Sequence, residues 1–590
     1  MISIAMSTRT HGTDRRWLWL LALGLALHLP GLWTGYFSDD FTHLWVLEGH
    51  RFGSTLEPWS LYDFGSAEDF RSSTQDLGGV PWWVADDWKV RFFRPVASVV
   101  LWFEHVVGGG SPLGHALGGL ALWGALLAAI RRLALRWGFK PWAAGAALLI
   151  FACSESTHLP VSWAANHNSL LEALFGVLAL TAVARARPSA RDVLLATGLA
   201  MLATASKESG AIFLVLVAVR CAFVAGAPRR RAALPVAAIG AFLALWLLGG
   251  YGSTSLFYPM PWEHLGEVRM RGILLGLFGL GGLVGPASLD LMVFHSSLLD
   301  PQTPLGALLL LALIGLSILA LHVATSRLRA TPSGGLLVGW LGLSILSQVC
   351  APTSDRLLFV PAIAFALLAA RWVEVSIEQR RGRATVAIVA TLMVPVSGLS
   401  LVGRQLALAD AAAEARELID EIVHVAPEGG DVVLLNLPNA LAGLSLGPAV
   451  RLAGGHGDLR PWPLQFGRGG ATVERRSVDT YRITRNDGAF LGNPLERVFS
   501  TFGHAPDFEA STEHRVGPLS VVPGGRGAPE QRPSRDDPRT FIELSVDHSD
   551  LARPLVLAAW VDGHLEAFDL PPVGGSFQFP DAHSRAPLAP

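Results

Sequence analysis

Long blocks almost free of charged side chains dominate the first 403 residues. The first runs from Trp17 to Gly35. Others lie at 113–130, 141–157, 168–184, 193–206, 209–225, 233–250, 272–294, 303–325, 335–351, 357–375 and 384–403. Most reach the ~17–25 residues that an α-helix needs to cross the hydrocarbon core of a bilayer. Only 16% of the chain is charged and 51% is apolar, whereas about a quarter of an ordinary soluble domain is charged. A disordered, collagenous or ordinary soluble chain is thereby excluded. The net charge of −2 supplies no basic field, so no nucleic-acid partner is expected. The three cysteines, Cys153, Cys221 and Cys350, sit in or beside apolar blocks and imply no disulfide framework.

Orientation follows from arginine and lysine in the short loops. Arg15 and Arg16, Arg131 to Lys140, Arg185 to Arg191, Arg229 to Arg231, Arg327 and Arg329, and Arg380 to Arg383 fall between alternate blocks. They belong on the cytoplasmic side, which puts the acid-rich loop 36–93 outside. The first block is too long for a signal-peptide core and reads as a retained span. Arg383 inside, followed by one more span, puts the C-terminal region outside. An odd number of crossings is then required, and 272–294, with its paired glycines and a proline, is the block expected not to cross. The expected architecture is an all-α polytopic membrane domain of about 11 crossings over 17–403, after a cytoplasmic tail at 1–16. Short helices of the outer loops, including 251–271, are expected at the membrane face. A helical connector at 404–430 leads to a soluble, β-rich (α+β) domain over 431–590, in which DVVLLNL, SVDTYRIT, LSVV, FIELSV and PLVLAAWV read as strands between Gly/Pro clusters. The polar stretch near 523–539 reads as a mobile loop. The location implied is the cell (inner) membrane, multi-pass, with the C-terminal domain extracytoplasmic.

Five elements carrying polar residues fall on the outer side. GYFSDDFTHLW places Asp39 and Asp40 just past the first span. Adjacent carboxylates in a partly dry site repel, so one can hold its proton near neutral pH. That suits a general base or a pair of metal ligands, while the plain structural reading is a helix N-cap. VRFFRPVASVV sets Arg94 at the membrane surface, either as a phosphate holder or as an interfacial anchor. LATASKESGAIF interrupts an apolar stretch with Lys207 and Glu208; ionisable groups at membrane depth default to a functional reading, against which stands a turn with a snorkelling lysine. APTSDRLLFVP opens a span with Asp355 and Arg356, which could equally be a surface ion pair. PVSWAANHNSLLEALF starts another span with Trp163, Asn166 and His167. Together they bring carboxylates, two arginines, a lysine and a histidine to one membrane face from five helix ends, as a site for an anionic lipid-linked substrate requires.

This order of motifs resembles the GT-C class of multi-span glycosyltransferases, and most of all the branch of transmembrane O-mannosyltransferases and their bacterial relatives. The residues that carry the resemblance are Asp39-Asp40, Phe93-Arg94-Pro95, Trp163 with Leu170-Leu171, Ser206-Lys207-Glu208, and Asp355-Arg356 with Leu358 and Pro361, spread over roughly residues 15–375. The chain departs from that pattern in having His167 where the family has arginine, Leu159 near the place of a family acid, Asp355 for the commoner glutamate, and no helical repeats in its tail. The resemblance implies a hexosyltransferase-like enzyme that moves a sugar from a polyprenyl-phosphate carrier, embedded among membrane lipids, to a hydroxyl of a protein or glycan acceptor outside the cytoplasm, with inversion. It implies Asp39 as catalytic base with Asp40 second, and Arg94, His167, Lys207, Glu208, Asp355 and Arg356 around the donor phosphate and sugar. A divalent cation is left open. Fixed cations would stabilise the phosphate charge that grows as the sugar leaves. A transporter or flippase of lipid-linked glycans, and a non-catalytic scaffold of the same fold, are the alternatives that the residues leave standing.

Overall fold

The computed structural model describes residues 15–579 apart from 53–55, 75–76, 225–227, 256, 261–263, 286–301, 326–333, 381, 427–429, 440–442, 455–458, 468, 486–489, 491–512, 517, 524–540 and 547–553. Among the described residues, five helices are long and apolar enough to cross a bilayer: Pro112–Arg136, Arg229–Leu248, Pro304–Thr325, Asp355–Glu378 and Arg383–Val425. The helices Pro141–Ala152 and Glu155–Ser162, bent by 66°, make a sixth if the pair is one span. The chain is therefore a mostly helical membrane protein. Shorter helices, among them His167–Ala182, Ala190–Ser206 and Ala211–Val219, pack between the long ones. By length and composition the structure thus marks five or six spans, fewer than the 11 expected. Of the block expected not to cross, 272–282 continues the helix Leu265–Leu274 through a π-turn at Leu275–Gly279, 283–285 form a turn, and 286–294 lie outside the described residues.

Local sequence sets the helix ends. Ser111 accepts from the Gly114 amide and Pro112 occupies the first turn, where its missing N–H costs nothing. Ser189 and Asp192 exchange side-chain and backbone hydrogen bonds in a capping box. The helix Asp355–Glu378 lies at the centre of the bundle, with residues 359 to 370 all buried. The helix Arg383–Val425 contains 43 residues, roughly 65 Å at 1.5 Å per residue, about twice the thickness of a hydrocarbon core. Residues 404–425 therefore extend the last span as one helix that carries the β region on its end.

The loop 36–93, expected on the outer side and hence called the outer loop, is folded and packed. It holds the helices Asp39–Leu47 and Ala67–Thr74 and the strands β1 (Asp63–Ser66) and β2 (Lys89–Arg91). β3 (Gly252–Ser253) joins β2 from the far side to complete a three-stranded sheet. The 251–271 segment, read as helical, is thus part strand, because backbone pairing with Val90 and Arg91 satisfies its amides there; its helix begins at Leu265. In the C-terminal region β4 (Asp431–Leu434), β5 (Arg460–Pro463), β11 (Leu555–Val561) and β12 (His564–Phe568) form a mixed sheet in the order β12-β11-β4-β5. The helix Leu446–Leu452 makes the crossover between the parallel pair β4 and β5. β6 (Ala471–Arg475), β7 (Thr480–Arg485), β8 (His514–Val516), β9 (Leu519–Pro523), β10 (Phe541–Val546) and β13 (Ser576–Phe579) form an antiparallel sheet. The polar loop expected near 523–539 lies, from 524 on, outside the described residues.

One apolar core runs through the helical bundle, and a second fuses the outer loop with the β region. At that junction the Gly79 amide donates to the Pro461 carbonyl at 2.5 Å, and Trp82 Nε1 donates to the Leu464 carbonyl at 3.0 Å. Gly79 has a φ of +80°, and a Cβ there would sit 2.5 Å from the Gly447 nitrogen. Only glycine permits both the backbone conformation and the close approach.

Candidate active site

A cavity of about 980 Å³, its open mouth included, lies where the outer loop meets the helix ends and the β region. Asp39, Arg94, Lys207 and Arg356 line it, so four of the eight residues expected at the site converge there. Trp163, Asn166 and Asn168 line it as well, and Phe52, Tyr62, Phe64, Phe70, Trp88 and Phe92 form an aromatic wall.

The acidic pair divides its labour. Ser38 precedes it with φ 54° and ψ −130°, a strained conformation for a residue with a side chain, and stands at the N-cap position of the helix Asp39–Leu47 without a side-chain cap bond. The turn sends the two carboxylates in different directions. Asp40, 4% exposed, accepts from the Ala165 amide at 2.8 Å and from the Phe37 amide at 3.3 Å. It does not line the cavity; it ties the first outer helix to the Ala164–Asn166 turn. Burial pushes its carboxyl up to about 7, against the pull of those two amides. Asp39 faces the cavity. Burial raises its carboxyl too, while Arg356 and, more weakly, Arg94 pull it back.

The three cations are held in three ways. Arg94 precedes Pro95, at the start of the helix Pro95–Gly108. Its Nε donates to Glu208 Oε2 at 3.0 Å, and the Phe93 amide donates to Glu208 Oε1 at 2.7 Å. The guanidinium also lies over the rings of Phe92 and Tyr62. Glu208 thus locks the FRP and SKE segments together and is absent from the cavity wall. Lys207 sits at the break between the helices Ala190–Ser206 and Ala211–Val219, in extended backbone. Its Nζ donates to Ser169 Oγ at 3.0 Å and stands 3.9 Å from Glu172 Oε2, a carboxylate with no exposure. Gly210 permits the break, since a Cβ there would collide with the Ala203 carbonyl. Arg356 follows Asp355 in the turn Asp355–Leu358, and its guanidinium lies 5.6 Å from the centre of the Trp163 ring. Among the described residues it makes no hydrogen bond or ion pair.

The other two expected residues are also turned elsewhere. Asp355 Oδ2 is 2.7 Å from Arg404 Nη1, and His167 Nδ1 is 3.0 Å from Glu104 Oε2, which also meets His115 Nδ1 at 3.3 Å. All three of Asp355, Glu104 and His167 are buried away from the cavity wall. The motif reading identified Trp163 and Asn166 but gave them no role; Trp163 Nε1 and Asn166 Nδ2 are buried donors without a partner among the described residues and belong to residues of the cavity wall. Leu444 and Ser445, from the C-terminal region, complete the wall, and Thr42 Oγ1 donates to Ser445 Oγ at 2.8 Å. No sequence signal marks these two. Among the described residues no three His, Cys, Asp or Glu side chains are grouped to hold a metal ion. A lone Asp39 faced by three cations does not fit a divalent cation.

No family model matches the chain, and no curated protein matches it. Among solved structures it is similar to the oligosaccharyltransferase AglB of Archaeoglobus fulgidus, solved with an inhibitory peptide and a dolichol-phosphate. There the identity is 14%, the TM-score is 0.41, and the overlap covers 78% of this chain and 66% of that one. An oligosaccharyltransferase of Archaeoglobus fulgidus solved with Zn and sulfate gives 16%, 0.42, 77% and 63%. ArnT from Cupriavidus metallidurans, in the apo state, gives 14%, 0.39, 75% and 85%. The chain spans slightly less than two thirds of the length of these oligosaccharyltransferase chains. Both neighbours are GT-C glycosyltransferases, the class that the motif order resembles. Overlap at this level describes a similar chain path and assigns no substrate.

Proposed function

We propose that the protein is a membrane glycosyltransferase that moves a sugar from a polyprenyl-phosphate donor to a hydroxyl of a protein or glycan acceptor at the extracytoplasmic face, with inversion. The observation that carries this reading is a single cavity in which one carboxylate, Asp39, faces Arg94, Lys207 and Arg356. Asp39 takes the proton of the acceptor hydroxyl as its oxygen bonds to the anomeric carbon. The bond from that carbon to the phosphate oxygen breaks, and its electron pair leaves with the carrier. The phosphate passes from a monoanionic diester to a dianionic monoester, and the cations stabilise the added charge. Arg94 and Lys207 each keep an internal carboxylate within 4 Å, which fixes their positions; Arg356 makes no such ion pair among the described residues, and its guanidinium, beside Asp39, can turn to the incoming phosphate. Trp163 Nε1 and Asn166 Nδ2 offer neutral donors for the sugar hydroxyls or the phosphate oxygens. The outward face rests on the arginine-rich loops lying on the other side.

Transfer from a labelled polyprenyl-phosphate sugar, measured in membranes, tests the reading. Asp39→Asn keeps shape and removes charge, and loss of a general base lowers the rate by roughly 10²–10⁴. A variant that accumulates normally and transfers at the normal rate removes Asp39 from the mechanism.

A further inference from the structure

Arg404 is a charged side chain that the mechanism above does not use, and it stands behind the site. It lies on the helix Ser397–Val425. Its Nη1 is 2.7 Å from Asp355 Oδ2, and its Nε is 3.1 Å from Glu155 Oε2. Asp355 is 2% exposed and Glu155 is 5% exposed. The three charges come from three separate segments and meet in the interior.

Each segment leads to the cavity. Asp355 is the residue before Arg356 and opens the turn that presents it. Glu155 opens the turn Glu155–Thr157, from which the chain runs through His158–Ser162 to Trp163. Trp163 carries the ring over which the Arg356 guanidinium lies. Arg404 therefore holds the residue next to Arg356 and the start of the segment that leads, eight residues on, to Trp163. Arg356 has no hydrogen bond or ion pair of its own among the described residues. A long side chain of that kind keeps its full rotamer freedom unless its backbone and the surface beneath it are fixed. Arginine suits the task because its planar fork fixes the direction of each carboxylate it holds, whereas an ammonium is a rotatable point charge.

We infer that Arg404 is a positioning residue, which holds Arg356 over Trp163 for the donor phosphate by bridging Asp355 and Glu155. It touches neither substrate nor reacting atoms. The inference rests on the proposed function, in which Arg356 receives that phosphate. It also ties the donor site to the helix that carries the β region, so a displacement of that helix reaches Arg356 through one side chain.

The test is equilibrium binding of a polyprenyl phosphate, without sugar, to the full chain in detergent, so that no turnover is needed. Arg404→Lys keeps the charge and loses the fork. Misplacing a binding group from behind can cost up to about 10²-fold, and a weakening of roughly 10- to 100-fold is expected. The deciding measurement is a double-mutant cycle with Arg356→Gln. If Arg404 acts through Arg356, Arg404→Lys has no further effect on Kd once Arg356 is replaced. A purely structural role lowers the binding-competent fraction and leaves the Kd of the remainder unchanged. An unchanged Kd, or additive effects in the cycle, overturns the inference. Should Arg404→Lys fail to accumulate, the variant combining Arg404→Gln, Asp355→Asn and Glu155→Gln removes all three charges together, and wild-type affinity in that variant overturns it equally. A wild-type protein that binds no polyprenyl phosphate removes the proposed function and this inference with it; binding that is indifferent to Arg404 removes the inference alone.

Discussion

Replacing Asp40 by asparagine separates the brace of the acidic pair from the carboxylate proposed as its base. Asp40 is 4% exposed and its carboxyl is pushed from 3.8 up to about 7, chiefly by burial. A carboxyl raised in the folded state contributes stability that is fully present below the unfolded value, and loses it as pH climbs towards the folded one. Between about pH 4 and 7 the loss is roughly 1.4 kcal/mol per pH unit, so roughly 4 kcal/mol is gone by pH 7. The two amides that Asp40 accepts limit this cost without cancelling it. Asparagine keeps an oxygen for the Ala165 amide but sets an NH₂ against the Phe37 amide. An unsatisfied donor of that kind costs about 1–3 kcal/mol at every pH. Asp40→Asn is therefore expected to be less stable than wild type at pH 4.5 and to match or exceed it at pH 8. Thermal unfolding of the full chain in detergent at both pH values measures this, and the difference between the two proteins cancels the titration of all other groups. Parallel pH dependence in the two would refute the argument, because it would mean that Asp40 does not titrate between the folded and unfolded values given. Sugar transfer by Asp40→Asn should stay within about tenfold of wild type, well short of the 10²–10⁴ expected for loss of a base.

Lys207→Met is expected to destabilise the chain, because it leaves the fully buried Glu172 without its cation. Lys207→Met with Glu172→Gln should recover the thermal midpoint but not the affinity for polyprenyl phosphate, and recovery of both would take Lys207 out of the donor site. Gly79→Ala should loosen the outer loop from the β region by more than about 1 kcal/mol, since it strains the backbone at φ +80° and crowds Gly447; limited proteolysis between residues 76 and 93 reports it, and an unchanged cleavage rate counts against the docking. Reporter fusions after Gly403 should be active outside the cytoplasm, and activity only inside it would reverse the orientation drawn from the arginine loops.

The sequence by itself determined the class of solvent and the broad division of the chain, and it singled out four residues that line one cavity. Blocks of apolar residues are required wherever a helix meets lipid, so composition alone marks a membrane protein. Alternating β-branched runs likewise mark the strands after residue 430. Asp39, Arg94, Lys207 and Arg356 were legible because each interrupts or ends an apolar block on one side, where a charge is costly unless it has work to do. What only the tertiary structure decided is which charge does what. Asp39 and Asp40 are adjacent and identical in type, yet one faces the cavity and the other meets an amide 125 residues away. Glu208 and Asp355 sit beside the cavity cations in sequence and prove to be internal partners, of Arg94 and of Arg404. His167 turns to Glu104, and Ser445 arrives from a region 403 residues beyond Thr42. The count of about 11 crossings is not confirmed: among the described residues five or six helices meet the length and composition of a span, and an apolar block does not record where a bundle breaks its helices, as it does at Lys207. The physical reason is common to all of these. Burial is a property of a residue type and leaves its trace in composition, whereas a hydrogen bond or ion pair is a relation between two residues whose distance along the chain sets no limit on their distance in space.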